Sequence, residues 1–292
     1  MGSICTINNK CFISVLDKTS TSTSESSPAD SFSVFFTLSE RVLSRSPNCQ
    51  VRLCKKISSQ EMFVVKIVTS SSKPSLEAQI MQNLNHPHII NFEGIYADDS
   101  KQYLVLEYLP NGDLLTLLNK ITKFPEKTAA EVMEQVLSAL AYCHDKGIIH
   151  RDIKPENILL YKVGKKGVLC KIADFDSAGR IGKENEGAFG TLYYMAPEML
   201  EGKYGEKVDI WSAGVVMYQL LTGKHLFIGR NQEEVLARIN MEEVGLDNGI
   251  SFEARDLIER MLKRDPNERI SAEEACKLER EEFGKVQTPL DS

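Results

Sequence analysis

Three features are missing from this 292-residue sequence, and each absence excludes a class of protein. The seven cysteines include no CxxC pair and follow no secretion signal, which argues against a disulfide framework or a zinc site. The formal net charge is -6 at pH 7, so a general affinity for nucleic acid is not expected. The longest apolar run, which begins at Trp211, is too short to cross a bilayer and fits a buried helix. We therefore expect a cytoplasmic, monomeric protein with reduced thiols.

The residues that are present suit one large folded unit behind a polar segment. Hydrophobic residues make up 42% of the chain, which is enough for a substantial core. Residues 18–33 are dominated by Ser and Thr and have little apolar surface to bury. We therefore predict that residues 1–35 form a disordered N-terminal segment.

Short β-like runs and helical patterns follow in order. The runs FFTL, QVRLC, FVVKIV and YLVLEY predict a small sheet. One helix, in SLEAQIMQNL, should interrupt that sheet, with Leu76, Ile80 and Leu84 on one stripe. The second half is mostly helical, and two long helices each end near a glycine. The sequence predicts an α+β fold with a β-rich N lobe (36–108), a helical C lobe (109–278) and a short tail (279–292).

The densest motifs are HRDIKPEN from His150, DFD from Asp174 and APE from Ala196. With Lys66 in FVVKIV and Glu77 in the following helix, they resemble the protein kinases over residues 36–278. A lone strand lysine is usually a surface residue and a lone helix glutamate is usually solvated. Their occurrence together, upstream of HRDIKPEN, favours the kinase interpretation. The resemblance implies a two-lobe kinase fold and transfer of the ATP γ-phosphate to protein serine or threonine hydroxyls.

The resemblance also implies how the nucleotide is held. Lys66 would bind the α and β phosphates of ATP, and an ion pair with Glu77 would fix that lysine. Asn157 and Asp174 would supply oxygen ligands for Mg²⁺.

In the catalytic loop, Asp152 would accept or orient the proton of the substrate hydroxyl, and Lys154 would stabilise the transferring phosphoryl group. Lysine at position 154 is the pattern of serine/threonine kinases. Thr191 matches the threonine that braces the catalytic aspartate.

Other family positions concern adenine and the scaffold. Leu43, Val51 and Val64 would contact the nucleotide, and Leu106 would be the gatekeeper. The hinge, whose backbone would bind adenine, consists of Glu107, Tyr108 and Leu109. Asp209 would hydrogen-bond the catalytic loop, and Glu198 and Arg269 would form a buried ion pair. The spine positions are Met81, Phe92, His150 and Phe175.

The sequence departs from the family at the nucleotide loop. The family pattern L-G-x-G-x-x-G-x-V falls on residues 43–51, where Ser44, Ser46 and Cys49 replace the glycines. Glycine permits a close approach of phosphate that side chains obstruct, so we expect ATP binding to be weaker than in typical relatives. Val64 replaces an alanine and would narrow the adenine slot. Asp176 replaces the glycine of DFG, as in the MAP-kinase-interacting kinases.

Two functions stay open at this point. The retained catalytic groups favour an active kinase that uses ATP and Mg²⁺, because a chain released from catalysis has no physical need for all of them. The rewritten loop and Val64 favour a pseudokinase that acts as a signalling scaffold.

The C-lobe runs LLTGKHLFIGRNQEEVLARI and DLIERMLKRDPNERISAEEA most resemble the calcium/calmodulin-dependent kinase group. The chain has no EF-hand loop, so it resembles a minimal catalytic-domain member of that group. By resemblance to basophilic kinases, Asp113 and Glu156 are placed to pair with an arginine three residues before the acceptor. Gln219 stands where kinases that want a second arginine carry a glutamate, so we predict protein substrates of the form R-x-x-S/T.

Two further patterns concern membrane attachment and the control of activity by phosphorylation. The start MGSICT matches a myristoylation pattern, with lipidation at Gly2 and Cys5 giving membrane contact; the alternative is a chance match or a remnant of cloning. Residues 178–190 contain no Ser, Thr or Tyr that phosphorylation could use to engage Arg151. Glu184 and Glu186 would either supply a fixed negative charge to Arg151 or be solvated loop carboxylates. Because the usual switch residue is missing, we expect activity that does not require activation-loop phosphorylation.

Overall fold

A computed structural model describes residues 32–69, 74–98, 100–164, 167–183, 190–240, 244–246 and 249–282. The first elements are α1 Phe32–Phe35, β1 Phe36–Ser46, β2 Cys49–Lys56, β3 Met62–Thr69, α2 Leu76–Met81, β4 Phe92–Ala97 and β5 Lys101–Glu107. The five strands form one antiparallel sheet in the order β1-β2-β3-β5-β4, and α2 precedes β4.

Helices dominate the remainder of the described chain. The helices there are α3 Leu114–Ile121, α4 Glu126–Asp145, α5 Pro197–Glu201, α6 Lys207–Thr222, α7 Gln232–Ile239, α8 Phe252–Met261 and α9 Ala272–Glu282. Short strands pair beside them, namely β6 Ile148–Ile149 with β9 Gly179–Arg180, and β7 Ile158–Gly164 with β8 Gly167–Ile172. The predicted two-lobe α+β architecture is confirmed.

Helix α6 is the centre of the C lobe. Every residue from Val208 to Leu221 is buried, because α4, α8 and the turn at 192–194 pack around it. A helix that is apolar on all sides fits such a core. It ends at Gly223, whose φ of +72° suits a glycine C-cap. None of the helices within the described ranges is long and apolar enough to span a bilayer.

Several predicted boundaries need correction. Residues 1–35 were expected to be disordered, yet Phe32 is buried and stacks on Phe36 and Tyr103, with ring centroids 5.3 and 4.8 Å apart. Residues 1–31 lie outside the described part. The tail was expected from residue 279, but α9 continues to Glu282. The helix α2 is also shorter than predicted, and Leu76 is 44% exposed and does not share the buried side of Ile80 and Leu84.

Candidate active site

The catalytic loop between β6 and β7 is held from beneath by a buried aspartate. The Asp209 carboxylate accepts the backbone N–H groups of His150 and Arg151, each at 2.8 Å, and faces His144 Nε2 at 2.9 Å. Burial favours the neutral acid, but these hydrogen bonds outweigh it and lower the pKa of Asp209. They also support Arg151, whose φ of +69° is unusual for a residue with a side chain.

Four predicted catalytic side chains meet at the end of this loop. The Lys154 ammonium lies 2.7 Å from an Asp152 carboxylate oxygen and donates to the Thr191 hydroxyl at 2.9 Å. The Thr191 backbone N–H donates to the other Asp152 oxygen at 3.2 Å. Asn157 donates its side-chain amide to the backbone and side chain of Asp152, each at 2.9 Å. The aspartate is therefore fixed from three directions.

Sequence reasoning missed Gly190, which makes this geometry possible. It adopts φ of +92°, and a Cβ at this position would lie 2.6 Å from the carbonyl oxygen of Arg151 and 3.0 Å from Asp152 Oδ1. A side chain would push the Thr191 segment away from the catalytic loop. The signal was present as a glycine immediately before Thr191.

Across the cleft, Lys66 is surrounded by carboxylates. Its ammonium lies 2.8 Å from Glu77, 3.1 Å from Asp174 and 3.6 Å from Asp176. Burial alone would lower the pKa of Lys66, but the three carboxylates raise it above its ordinary value. The charged form of Lys66 is thus favoured, and the predicted pair with Glu77 is formed.

The turn at Phe175–Ser177 places Asp174 toward the cleft and Phe175 into the core. Phe175 is buried against His150, with ring centroids 4.6 Å apart. Met81 is buried in the same cluster, and Phe92 packs against it half-buried. The four predicted spine residues therefore lie in the C-lobe core or at its edge, and α2 contacts the turn.

The donor set at Asn157 and Asp174 fits Mg²⁺. Both bonds donated by Asn157 use its amide nitrogen, which leaves the amide oxygen as the atom that a cation can use. The Asp174 side chain is 49% exposed. Partial desolvation favours its neutral form, but the Lys66 ammonium outweighs this and lowers the pKa of Asp174, which favours the ionised carboxylate. In the part of the chain described, no three His, Cys, Asp or Glu side chains cluster as a metal cage. Mg²⁺ commonly takes one or two protein oxygen ligands together with phosphates and water.

Comparison with known proteins supplies the family. The protein kinase domain family matches residues 41–279. The chain belongs to this family. The kinase domain is 43% identical to Aurora kinase A-A of Xenopus laevis over 196 residues, which are 66% of this chain and 47% of that protein.

Two further relatives are serine/threonine or calcium-dependent kinases by name. Calcium-dependent protein kinase 5 of Plasmodium falciparum is 41% identical over 207 residues, 69% of this chain and 36% of the relative. Serine/threonine-protein kinase PEPKR2 of Arabidopsis thaliana is 36% identical over 235 residues, which are 78% of this chain and 49% of that protein. The chain thus spans half or less of the length of these three relatives.

In this kinase domain the glycine-free segment forms a β-hairpin whose register shifts between Val42 and Ser44. Ser46 pairs with Cys49 around a two-residue turn, and the register continues into β3, where Cys49 pairs with Val68. The Asn48 carbonyl accepts the Thr69 N–H at 3.1 Å, which ties the tip to the sheet. Burial raises the pKa of the Cys49 thiol, so it stays neutral.

The predicted nucleotide contacts lie on neighbouring strands. Val51 pairs with Lys66 across β2 and β3, and Val64 pairs with Leu106 across β3 and β5. Leu43 is 41% exposed on β1. The hinge begins at Glu107, the last residue of β5, and its third residue, Leu109, packs against the C-lobe core.

The Glu107 side chain at the hinge pairs with Lys171 at 2.6 Å, a contact that sequence reasoning missed because a strand lysine is usually solvated. The predicted scaffold pair is formed as well, since Arg269 makes a two-pronged contact with Glu198 at 2.5 and 3.0 Å.

The residues predicted to read the substrate occupy different surroundings. Glu156 is exposed beside the catalytic loop. The Asp113 carboxylate caps α3, where it accepts the Thr116 N–H at 2.7 Å and the Thr116 hydroxyl at 2.9 Å. Gln219 is buried and accepts the Tyr194 hydroxyl at 2.7 Å. The described residues do not include the predicted lipidation sites Gly2 and Cys5 or the activation-segment residues Glu184 and Glu186.

Proposed function

We propose that this chain is a serine/threonine protein kinase that transfers the ATP γ-phosphate with the help of Mg²⁺. The observation that carries the proposal is the assembly of Asp152, Lys154 and Thr191 on one side of the cleft and of Lys66 with Glu77 on the other. Such transfer needs positioning and charge neutralisation more than covalent chemistry. The domain family and the names of the relatives support the same reaction.

Each residue has one task in this mechanism. Bound Mg²⁺ would neutralise phosphate charge, held by Asn157 and Asp174. Lys66, fixed by Glu77, binds phosphate oxygens.

On the other side of the cleft, Asp152 orients the substrate hydroxyl and accepts its proton, because Thr191 and Asn157 hold the carboxylate in place. Lys154 places its positive charge beside that aspartate, where it stabilises charge on the transferring group.

Further proposals concern the substrate sequence, the kinase group and the attachment of the protein to a membrane. Exposed Glu156 and half-buried Asp113 support selection of substrates of the form R-x-x-S/T. Gln219 is buried, so its side chain would not contact a second arginine of the substrate. The calcium-dependent kinases among the relatives support membership of the calcium/calmodulin-dependent group, although Aurora kinases match as well. Lipidation at Gly2 and Cys5, with membrane contact of a cytoplasmic monomer, rests on the sequence pattern alone.

A second candidate is a pseudokinase scaffold, which the glycine-free hairpin favours. Side chains at Ser44, Ser46 and Cys49 stand where a backbone would otherwise approach phosphate closely. In that case the fold would serve binding alone, and the ordered catalytic loop would be a remnant.

A phosphotransfer assay separates the two functions. The purified chain is incubated with ATP, Mg²⁺ and an R-x-x-S peptide, beside the Asp152→Asn variant. We expect turnover in the unaltered chain and a decrease of about 10²–10⁴-fold in the variant, the usual contribution of a positioned base. Equal, background-level signal from both proteins would reject the kinase and leave the scaffold.

A further inference from the structure

The two lobes are joined behind the hinge by hydrogen bonds to the end of β8. The Ile172 N–H donates to the His88 carbonyl and the Ile172 carbonyl accepts the Ile90 N–H, each at 2.9 Å. His88 and Ile90 belong to the segment between α2 and β4, which leads into the N-lobe sheet. The last residues of β8 are therefore a fixed point against which the N lobe is placed.

One residue earlier on β8, Lys171 reaches the hinge itself. Its ammonium lies 2.6 Å from Glu107 Oε2, and Lys171 is only 7% exposed. The same carboxylate oxygen accepts the Asn91 N–H at 3.1 Å, and the Glu107 N–H donates to the Asn91 carbonyl at 3.0 Å. Asn91 thus holds both the backbone and the side chain of Glu107 from the N lobe, and Lys171 holds the same side chain from the C lobe.

A buried ammonium that loses its carboxylate is left without compensation, so this pair resists rotation of the hinge. Glu107 is the last residue of β5 and the first residue of the hinge, whose backbone would bind adenine. The Lys171 ammonium also lies 5.9 Å from the centre of the Tyr161 ring, which limits its freedom further. The geometry therefore connects a C-lobe strand to the adenine contact.

We propose that Lys171 is a positioning residue, whose ion pair with Glu107 holds the hinge backbone in the conformation that binds the adenine of ATP. The inference rests on the proposed kinase function and names a determinant of its nucleotide affinity. The lysine acts through Glu107 and contributes to affinity for ATP, while transfer itself belongs to the catalytic loop.

The test measures binding of a fluorescent ATP analogue with excess Mg²⁺ to Lys171→Met, Glu107→Gln and the exchanged pair Lys171→Glu/Glu107→Lys. Lys162→Met is the control, because Lys162 is an exposed lysine on the adjoining strand β7. We expect each single variant to bind about two- to thirtyfold more weakly, the range seen for residues that couple distant parts of a site. The exchanged pair should recover part of the loss. In turnover assays, KM for ATP should rise while KM for peptide and kcat at saturating ATP stay unchanged.

Unchanged affinity in Lys171→Met overturns the inference, even if its unfolding midpoint falls, because the pair is then structural only. If Lys171→Met fails to fold, Glu107→Gln decides, since the amide keeps the shape of the carboxylate and removes its charge. Equal loss in Lys162→Met would also overturn the inference. If the unaltered chain binds no analogue, the kinase proposal fails together with the inference. Normal binding by the unaltered chain and by both single variants refutes the inference alone.

Discussion

The catalytic loop and the β1–β2 hairpin are held in place by different kinds of contact. The catalytic loop is held by charged and polar side chains that each serve two or more partners, with Asp209 and Asp152 as the centres. The hairpin is held by backbone pairing, and residues 40–48 are exposed. Loss of one member of a buried polar network leaves the others unsatisfied, whereas an exposed hairpin tolerates new side chains. The hairpin can therefore lose its glycines without loss of the fold.

After Asp152, the largest effect on turnover is expected from Lys154 in the catalytic loop. Lys154→Ala should lower kcat by about 10²–10³-fold, the usual cost of removing one preorganised charge from a transition state. Affinity for ATP should change little, because the residue contacts Asp152 and Thr191, on the substrate side of the cleft. Steady-state kinetics at varied ATP concentration measures both quantities, with exposed Lys277→Ala as the control. A rise in KM for ATP with constant kcat would place Lys154 among the nucleotide contacts.

Asp209 tests the support beneath that loop. Asparagine keeps one acceptor oxygen where the carboxylate has two, so Asp209→Asn should lower the free energy of unfolding by about 1.5–3 kcal/mol per lost bond. Because the folded pKa of Asp209 is lowered, its contribution is complete above about pH 4 and is lost as pH falls through the folded pKa. Denaturant titrations of both proteins at pH 7 and pH 3 measure the difference. If the two proteins differ in free energy of unfolding by the same amount at pH 7 and at pH 3, the result contradicts an ionised Asp209.

The features predictable from the sequence were those with local signals. Helical patterns that end near a glycine predicted the two long helices, which are α4 and α6. The resemblance to protein kinases predicted which side chains would meet around Lys66 and Asp152. Contacts between distant residues that lie outside the family motifs could not be predicted in this way. Lys171 and Glu107 are 64 positions apart, and the ring that receives Phe32 is on β5. Such pairs depend on tertiary packing, which overrides the local composition.

Substitutions in the hairpin should strengthen ATP binding and weaken the fold, the reverse of the changes expected in the catalytic loop. The variant combines Ser44→Gly, Ser46→Gly and Cys49→Gly with Val64→Ala. Its affinity for ATP should rise, because the backbone can then approach phosphate. Each glycine should lower the free energy of unfolding by about 0.5–1 kcal/mol, since these positions lie in strands. Nucleotide titration and denaturant unfolding measure the two changes.

Alanine at the same three hairpin positions, again with Val64→Ala, is the matched control, because it shortens the side chains without adding backbone freedom. Equal affinity in the unaltered and glycine-containing proteins would show that the existing hairpin already accommodates the phosphates.

The smallest effect is expected from removal of phosphate near the catalytic loop. Arg151 donates to the carbonyl groups of Ser177 and Ala178, the second at 2.9 Å, so the start of the activation segment is already attached to the loop. Residues 178–190 offer no hydroxyl for a switch, and turnover after phosphatase treatment should equal turnover before it. Mass spectrometry establishes that residues 177–195 are unmodified. Arg151→Lys keeps the charge but loses the planar fork that reaches two carbonyl groups, so it should lower turnover where phosphatase does not. If phosphatase lowers turnover as much as Arg151→Lys does, the attachment depends on a phosphate after all.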